Sequence, residues 1–294
     1  MSSATLLPWI EAARPKTLPA AIIPVLVGSA LAFATGCFNW LPAACCMAFA
    51  LLVQIGTNFS NDYADFIQGA DTEARVGPRR AVAAGLISVR TMRMGAFIVF
   101  GAAFVCGLSL VWWRGWELLP VGLTSLLFGW AYTGGPYPLA YHGLGDVFVF
   151  VFFGLVAVGG TFYVMTGFIT PDTLLTAVPV GLLATNILVV NNFRDIVTDE
   201  RAGKHTLIVR YGRKFGRWQY ALSLGCAAVI PPILAIKSGR SLLALASLAL
   251  LPGIALSRQL SRTREGPALN AILGRTAAVL LLFGLAWAAL LALG

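Results

Sequence analysis

Apolar residues in this chain gather into stretches of bilayer length, and the polar residues collect between them. A hydrocarbon core about 30 Å thick takes roughly 20 helical residues to cross. Lipid offers the backbone no hydrogen-bond partners, so each crossing has to be a helix. The pattern predicts nine such segments: Leu18–Ala34, Leu41–Phe59, Met94–Trp113, Leu118–Tyr132, Val147–Phe168, Leu174–Leu188, Trp218–Ile236, Leu242–Leu256 and Ala277–Leu293. The fourth and sixth are short. The residues before Lys16 lack the order of a cleaved signal peptide, so the first apolar run reads as a retained span.

Composition agrees with the pattern. Of 294 residues, 58% are hydrophobic and 11% charged, where a soluble chain carries about 25% charged residues. A soluble enzyme, a disordered linker and a collagen-like fibre are excluded. The expected fold is an all-α integral membrane protein, one domain over residues 1–294. Cys37, Cys45, Cys46, Cys106 and Cys226 lie in apolar runs, where cysteine acts as a small hydrophobe. With only two histidines in the chain, a His/Cys metal centre is not expected.

The basic residues give a topology. If the N-terminus is on side one, that side carries 18 of the 21 lysines and arginines, including Arg14, Lys16, Arg75, Arg80, Arg194, Lys204, Arg210 and Arg264. Only Arg114, Lys237 and Arg240 fall on side two. Side one is therefore expected to be cytoplasmic, the protein multi-pass in the cell (inner) membrane, and the span count odd. The net charge of +9 needs no nucleic acid to explain it.

Two of the cytoplasmic connections are long and polar, about Ser60–Arg93 and Asn191–Arg217. They hold seven of the twelve acidic residues: Asp62, Asp65, Asp71, Glu73, Asp195, Asp199 and Glu200. One follows the second span and the other the sixth, which suggests two four-helix pseudo-repeats plus a last helix around a central cavity.

Within the first connection, Asn58, Asn61, Asp62 and Asp65 fall at helical spacing on one face, with Asp71 just beyond Gly69. Asn192, Asp195 and Asp199 share a face in the second. Carboxylates so spaced repel one another and call for cations. An all-oxygen donor set suits Mg2+ or manganese, and Mg2+ characteristically bridges a few carboxylates to substrate phosphates. Each cluster is followed by basic residues, Arg79 and Arg80 in one case and Lys204 and Arg210 in the other. Carboxylates, metal and basic side chains together make a diphosphate clamp. A clamp at the mouth of an apolar bundle suits a polyprenyl diphosphate, whose allylic cation must be kept from water. Phe128, Trp130, Tyr132, Phe148, Phe152 and Tyr163 are candidates for holding that cation, although packing or an interfacial belt accounts for any one of them equally well.

The segments NDYAD from Asn61 and NNFRDIVTDERAGKHTLIVRYG from Asn191 resemble the UbiA superfamily of intramembrane prenyltransferases. Within it, the chain is most similar to the branch acting on 1,4-dihydroxy-2-naphthoate in menaquinone synthesis. YTGGPYPLAYHGLGDVFVFVFFG from Tyr132, ARPKTLPAAIIPVLVGSAL from Ala13 and LNAILGRTA near the last helix carry the same resemblance. The first motif ends at Asp71, whereas the 4-hydroxybenzoate branch places its last aspartate where this chain has Gly69.

The resemblance implies nine spans and Mg2+-dependent transfer of a prenyl chain to a ring carbon, with loss of diphosphate and carbon dioxide. It implies metal and catalytic roles for Asp62, Asp65, Asp71, Asp195 and Asp199. It further implies substrate contacts at Asn58, Asn61, Arg80, Asn192, Lys204 and Arg210. Arg14 and Tyr132 are further candidates for substrate contact. Asp146 is read either as orienting the acceptor's hydroxyl or as capping the fifth helix. His205 stands where an arginine is more usual, and a surface position is expected for it. A sister enzyme acting on another acceptor, such as 4-hydroxybenzoate, and an ion-coupled transporter remain alternatives. No protein partner is deducible.

Overall fold

The computed structural model describes residues 3–71, 76–263 and 266–293. Glu73, Arg75 and Arg264 lie outside the described residues. All regular structure among the described residues is helical: α1 (Ser3–Ala13), α2 (Pro19–Ala34), α3 (Trp40–Ile67), α4 (Val89–Arg114), α5 (Leu118–Ala131), α6 (Gly145–Thr166), α7 (Pro171–Arg201), α8 (Leu207–Ser238), α9 (Ser241–Arg262) and α10 (Gly266–Ala292). Each of the nine apolar segments lands on one of α2 to α10. Seven of these helices are long and apolar enough to cross a membrane. α1 and α2 are long and apolar enough only when taken together as a bent pair, and α5 is a shorter apolar helix. The sixth segment, short by its apolar pattern, is a 31-residue helix whose last three turns continue past the apolar stretch.

The termini have local causes. Asn39 Oδ1 accepts from the Leu41 N–H at the start of α3, and Ser88 Oγ from Thr91 at the start of α4. Thr170 and Thr173 form a reciprocal capping box on α7. Thr206 caps α8, which breaks at Gly212, where φ is 78°. At the opposite end of the bundle, the three basic residues assigned to side two lie at helix termini. Arg114 donates to the carbonyls of Val164 and Met165, and Arg240 to those of Leu290 and Leu291. These are last-turn carbonyls of α6 and α10 that lack helical partners. Lys237 pairs with Asp172 at the start of α7.

α1 was not foreseen. It ends at Arg14, whose φ of 53° is left-handed, and the chain then bends 53° into α2. Trp9 packs edge-on against Phe59 at 5.2 Å, fixing α1 to the end of α3. α6 and α7 touch backbone to backbone. A Cβ on Gly154 would sit 2.8 Å from the Gly181 Cα, so only glycine permits this approach. The main core gathers fully buried Ile23, Phe193, Tyr220, Phe283 and Trp287 from α2, α7, α8 and α10. Trp112, Ile98, Leu222 and Ile236 point outward, as lipid-facing positions should.

Candidate active site

A cavity of about 340 Å³ lies between α2, α3, α4, α5, α6 and α7, with one contact from α10. Its polar rim includes Arg14, Asn58, Asn61, Asp65, Arg80, Asn192, Arg194 and Lys204. Its far end is lined by Cys46, Leu110, Leu118 and Val164. Asp65 and Cys46 both line it from α3, and at the helical rise per residue they are about 28 Å apart. The cavity thus runs nearly the full thickness of a hydrocarbon core, with its charged residues at one end only.

The two acidic connections meet at the rim. Lys204 Nζ is 3.8 Å from Asp65 Oδ1 and 3.9 Å from Asp199 Oδ1. Arg80 donates to Asp65 Oδ2 at 2.9 Å and lies 3.3 Å from Asp71 Oδ2. Asp65, Asp71 and Arg80 are all buried. Tyr141 Oη donates to Asp65 Oδ1 at 3.1 Å, and Lys204 lies 5.3 Å from the same ring. Burial and the Asp65 carboxylate raise the Tyr141 pKa above its ordinary value, so the phenol stays a donor. Like charges held this close are stable only because the cations between them compensate.

Several expected site residues also make contacts that shape the scaffold. Asp62 accepts from the backbone N–H groups of Ala81 and Val82 at 3.1 and 2.9 Å, so it shapes the loop that carries Arg80. Asn58, at the rim, donates to the Ala13 carbonyl and holds the Arg14 elbow in place. Asn61 Oδ1 accepts from Thr133 at 2.7 Å. Arg210 is exposed and donates to the carbonyls of His142 and His205, tying two connections together, and it does not line the cavity. His205 is exposed, as expected.

Asp195 is held by Arg194, which approaches with Nε at 2.7 Å and Nη2 at 2.5 Å. Arg194, read from sequence only as a topology signal, lines the cavity. It also donates to Asn191 and Asn270.

Asp146 provides no N-terminal cap for α6; Oδ1 accepts from Gln219 Nε2 at 2.7 Å. It faces a separate space of about 10 Å³, room for about one water, shared with Tyr132, Asn192 and Thr206. Tyr132 lines both spaces.

Below the rim, Phe128, Phe148 and Phe152 line the cavity, with ring centroids 4.7 to 6.0 Å apart. α6 is π-helical over Phe150–Val156 in this region. Tyr163 is at the opposite end of the bundle, donating to Glu117. It lies 15 residues along α6 from Phe148, about 22 Å by helical rise. Trp130 packs on Gly135 outside the cavity lining.

The rim presents carboxylate and amide groups together with cationic nitrogens. Among the described residues, no three His, Cys, Asp or Glu side chains cluster closely enough to hold a metal by themselves.

A model of the UbiA prenyltransferase family matches residues 21–276. The chain belongs to this family. It is 40% identical over 230 residues to a 1,4-dihydroxy-2-naphthoate octaprenyltransferase of Haemophilus influenzae, covering 75% of this chain and 74% of the relative. A Mycobacterium tuberculosis protein of the same name is 37% identical over 286 residues, 97% of each chain. The solved structure of a UbiA homolog from Archaeoglobus fulgidus bound to DMAPP and Mg2+ has a TM-score of 0.65 at 14% identity, covering 96% of this chain and 99% of that one. The shared UbiA fold thus persists where little sequence does.

Proposed function

We propose that this UbiA-family protein transfers a polyprenyl chain from its diphosphate to a ring carbon of 1,4-dihydroxy-2-naphthoate, with loss of diphosphate and carbon dioxide. The supporting observation is Lys204 bridging Asp65 and Asp199 at the charged mouth of a long, mainly apolar cavity. Relatives named for that reaction, over nearly the whole chain, support the choice of acceptor.

The substrate's head sits at the rim and its chain runs down the cavity. Lys204 and Arg80 take diphosphate oxygens, and Arg14 and Arg194 add positive potential around them. Asp65 and Asp199 would hold Mg2+, which commonly uses one or two carboxylates; bound there, it would supply charge neutralisation for the departing diphosphate. No preformed three-carboxylate cage is needed for that.

As the C–O bond breaks, the Phe128, Phe148 and Phe152 rings face the allylic carbon and exclude water. The acceptor lies near Tyr132, which lines the cavity at the level of these rings. The polar rim faces the cytoplasm, as the basic residues at that end favour.

The test is product mass spectrometry on purified protein in liposomes with labelled prenyl diphosphate, offered 1,4-dihydroxy-2-naphthoate and 4-hydroxybenzoate in parallel. Prenylated naphthol is expected from the first acceptor only. Product from hydroxybenzoate alone would contradict the acceptor. No diphosphate release with either acceptor and Mg2+ present would contradict a transferase.

A further inference from the structure

The last helix, α10, reaches the site. Asn270 Oδ1 accepts from Arg194 Nη1 at 2.9 Å, and its Nδ2 donates to the Val76 carbonyl at 2.9 Å. One carboxamide therefore joins the second acidic helix to the loop that presents Arg80. Gly266, one turn earlier, packs on the same Val76; a Cβ there would fall 2.4 Å from Val76 Cγ1. Leu273, three residues on, lines the cavity. Positions 266, 270 and 273 share one helix face, so α10 presents a single surface to both connections.

Three residues separate Val76 from Arg80, and Pro78 among them lines the cavity. Arg194 has few alternatives, since its guanidinium is committed to Asp195, Asn191 and Asn270. An amide suits this position because it both accepts and donates. Aspartate keeps only the acceptor, and leucine keeps neither.

We infer that Asn270 is a positioning residue, clasping the Arg80 loop to the Arg194 helix so that both arginines meet one diphosphate head in register. This rests on the prenyl diphosphate reading above.

The test measures farnesyl diphosphate binding by titration calorimetry in detergent, together with separate KM values for prenyl diphosphate and naphthoate. Asn270→Leu is expected to weaken diphosphate binding and raise its KM about tenfold, the cost of a lost charged hydrogen bond. The naphthoate KM should move less than twofold. Asn270→Asp should fall between wild type and Asn270→Leu. Gly266→Ala, which displaces Val76 without touching a polar group, should weaken diphosphate binding in the same direction and serves if Asn270→Leu does not fold. Unchanged diphosphate binding in these variants overturns the inference, as does an equal shift in both KM values. Wild-type protein that binds no prenyl diphosphate overturns the functional reading instead.

Discussion

Asp65 and Asp199, from connections in opposite halves of the chain, share one ammonium group, with Lys204 Nζ 3.8 Å from the first and 3.9 Å from the second. Each carboxylate alone is an ordinary feature of a charged connection. Brought together over an apolar cavity, they form a site whose balance of charge a diphosphate and a divalent cation can take over.

Removing that shared charge is the simplest perturbation. Lys204→Met is expected to lower kcat/KM at least about 100-fold, in the range for loss of one electrostatic contact to a leaving group. Lys204→Arg should recover part of it, because the charge returns with a different donor geometry. Steady-state kinetics on both variants in liposomes checks this.

Asp62 should behave differently from Asp65. Its oxygens satisfy the Ala81 and Val82 N–H groups, so Asp62→Ala leaves two buried donors without partners. A cost of about 1–3 kcal/mol for each is expected. Thermal unfolding in detergent should show a clear fall in Tm for Asp62→Ala and little for Asp65→Asn.

That contrast marks how far the sequence could be read. Nine helices were legible because the apolar runs are long and almost uninterrupted, and both acidic rims because carboxylates are scarce elsewhere. Helical spacing put Asn58, Asn61, Asp62 and Asp65 on one face, and all four are buried together. Spacing does not say what each meets, because the partners Ala13, Thr133 and Ala81 arrive by long-range closure. Arg194 and Asn270 were missed for the same reason. Arg194 counted as one more basic residue, and Asn270 lay in a motif valued only for its resemblance. α1 was overlooked because Pro8, Pro15 and Arg14 interrupt any long apolar run there.

Tyr141 gives the stability a pH signature. Its pKa is raised by burial first and then by Asp65, so the neutral phenol is favoured in the folded protein. The stabilisation is complete below the ordinary value of 10.0 and is lost as pH rises beyond it towards the folded value. Tm measured between about pH 9 and 11 should fall more steeply for wild type than for Tyr141→Phe. Parallel profiles would show that Tyr141 does not carry the effect.

The phenylalanine cluster should govern the fate of the cation rather than its formation. Replacing Phe148 or Phe152 with leucine keeps the apolar volume and removes the ring face. Free prenyl alcohol relative to prenylated product is expected to rise about 2- to 30-fold, the range a lost cation–π contact allows. Chromatography of labelled products gives the ratio directly. An unchanged ratio in both variants would assign the rings to packing alone.

The central claim is that both acidic rims serve one diphosphate. Its most direct test is turnover of a prenyl diphosphate with 1,4-dihydroxy-2-naphthoate and Mg2+ by Asp65→Asn and Asp199→Asn, each confirmed to be folded in liposomes. Both should lose at least about 100-fold in rate. A wild-type rate in either one would mean that the two connections do not act on the same head group.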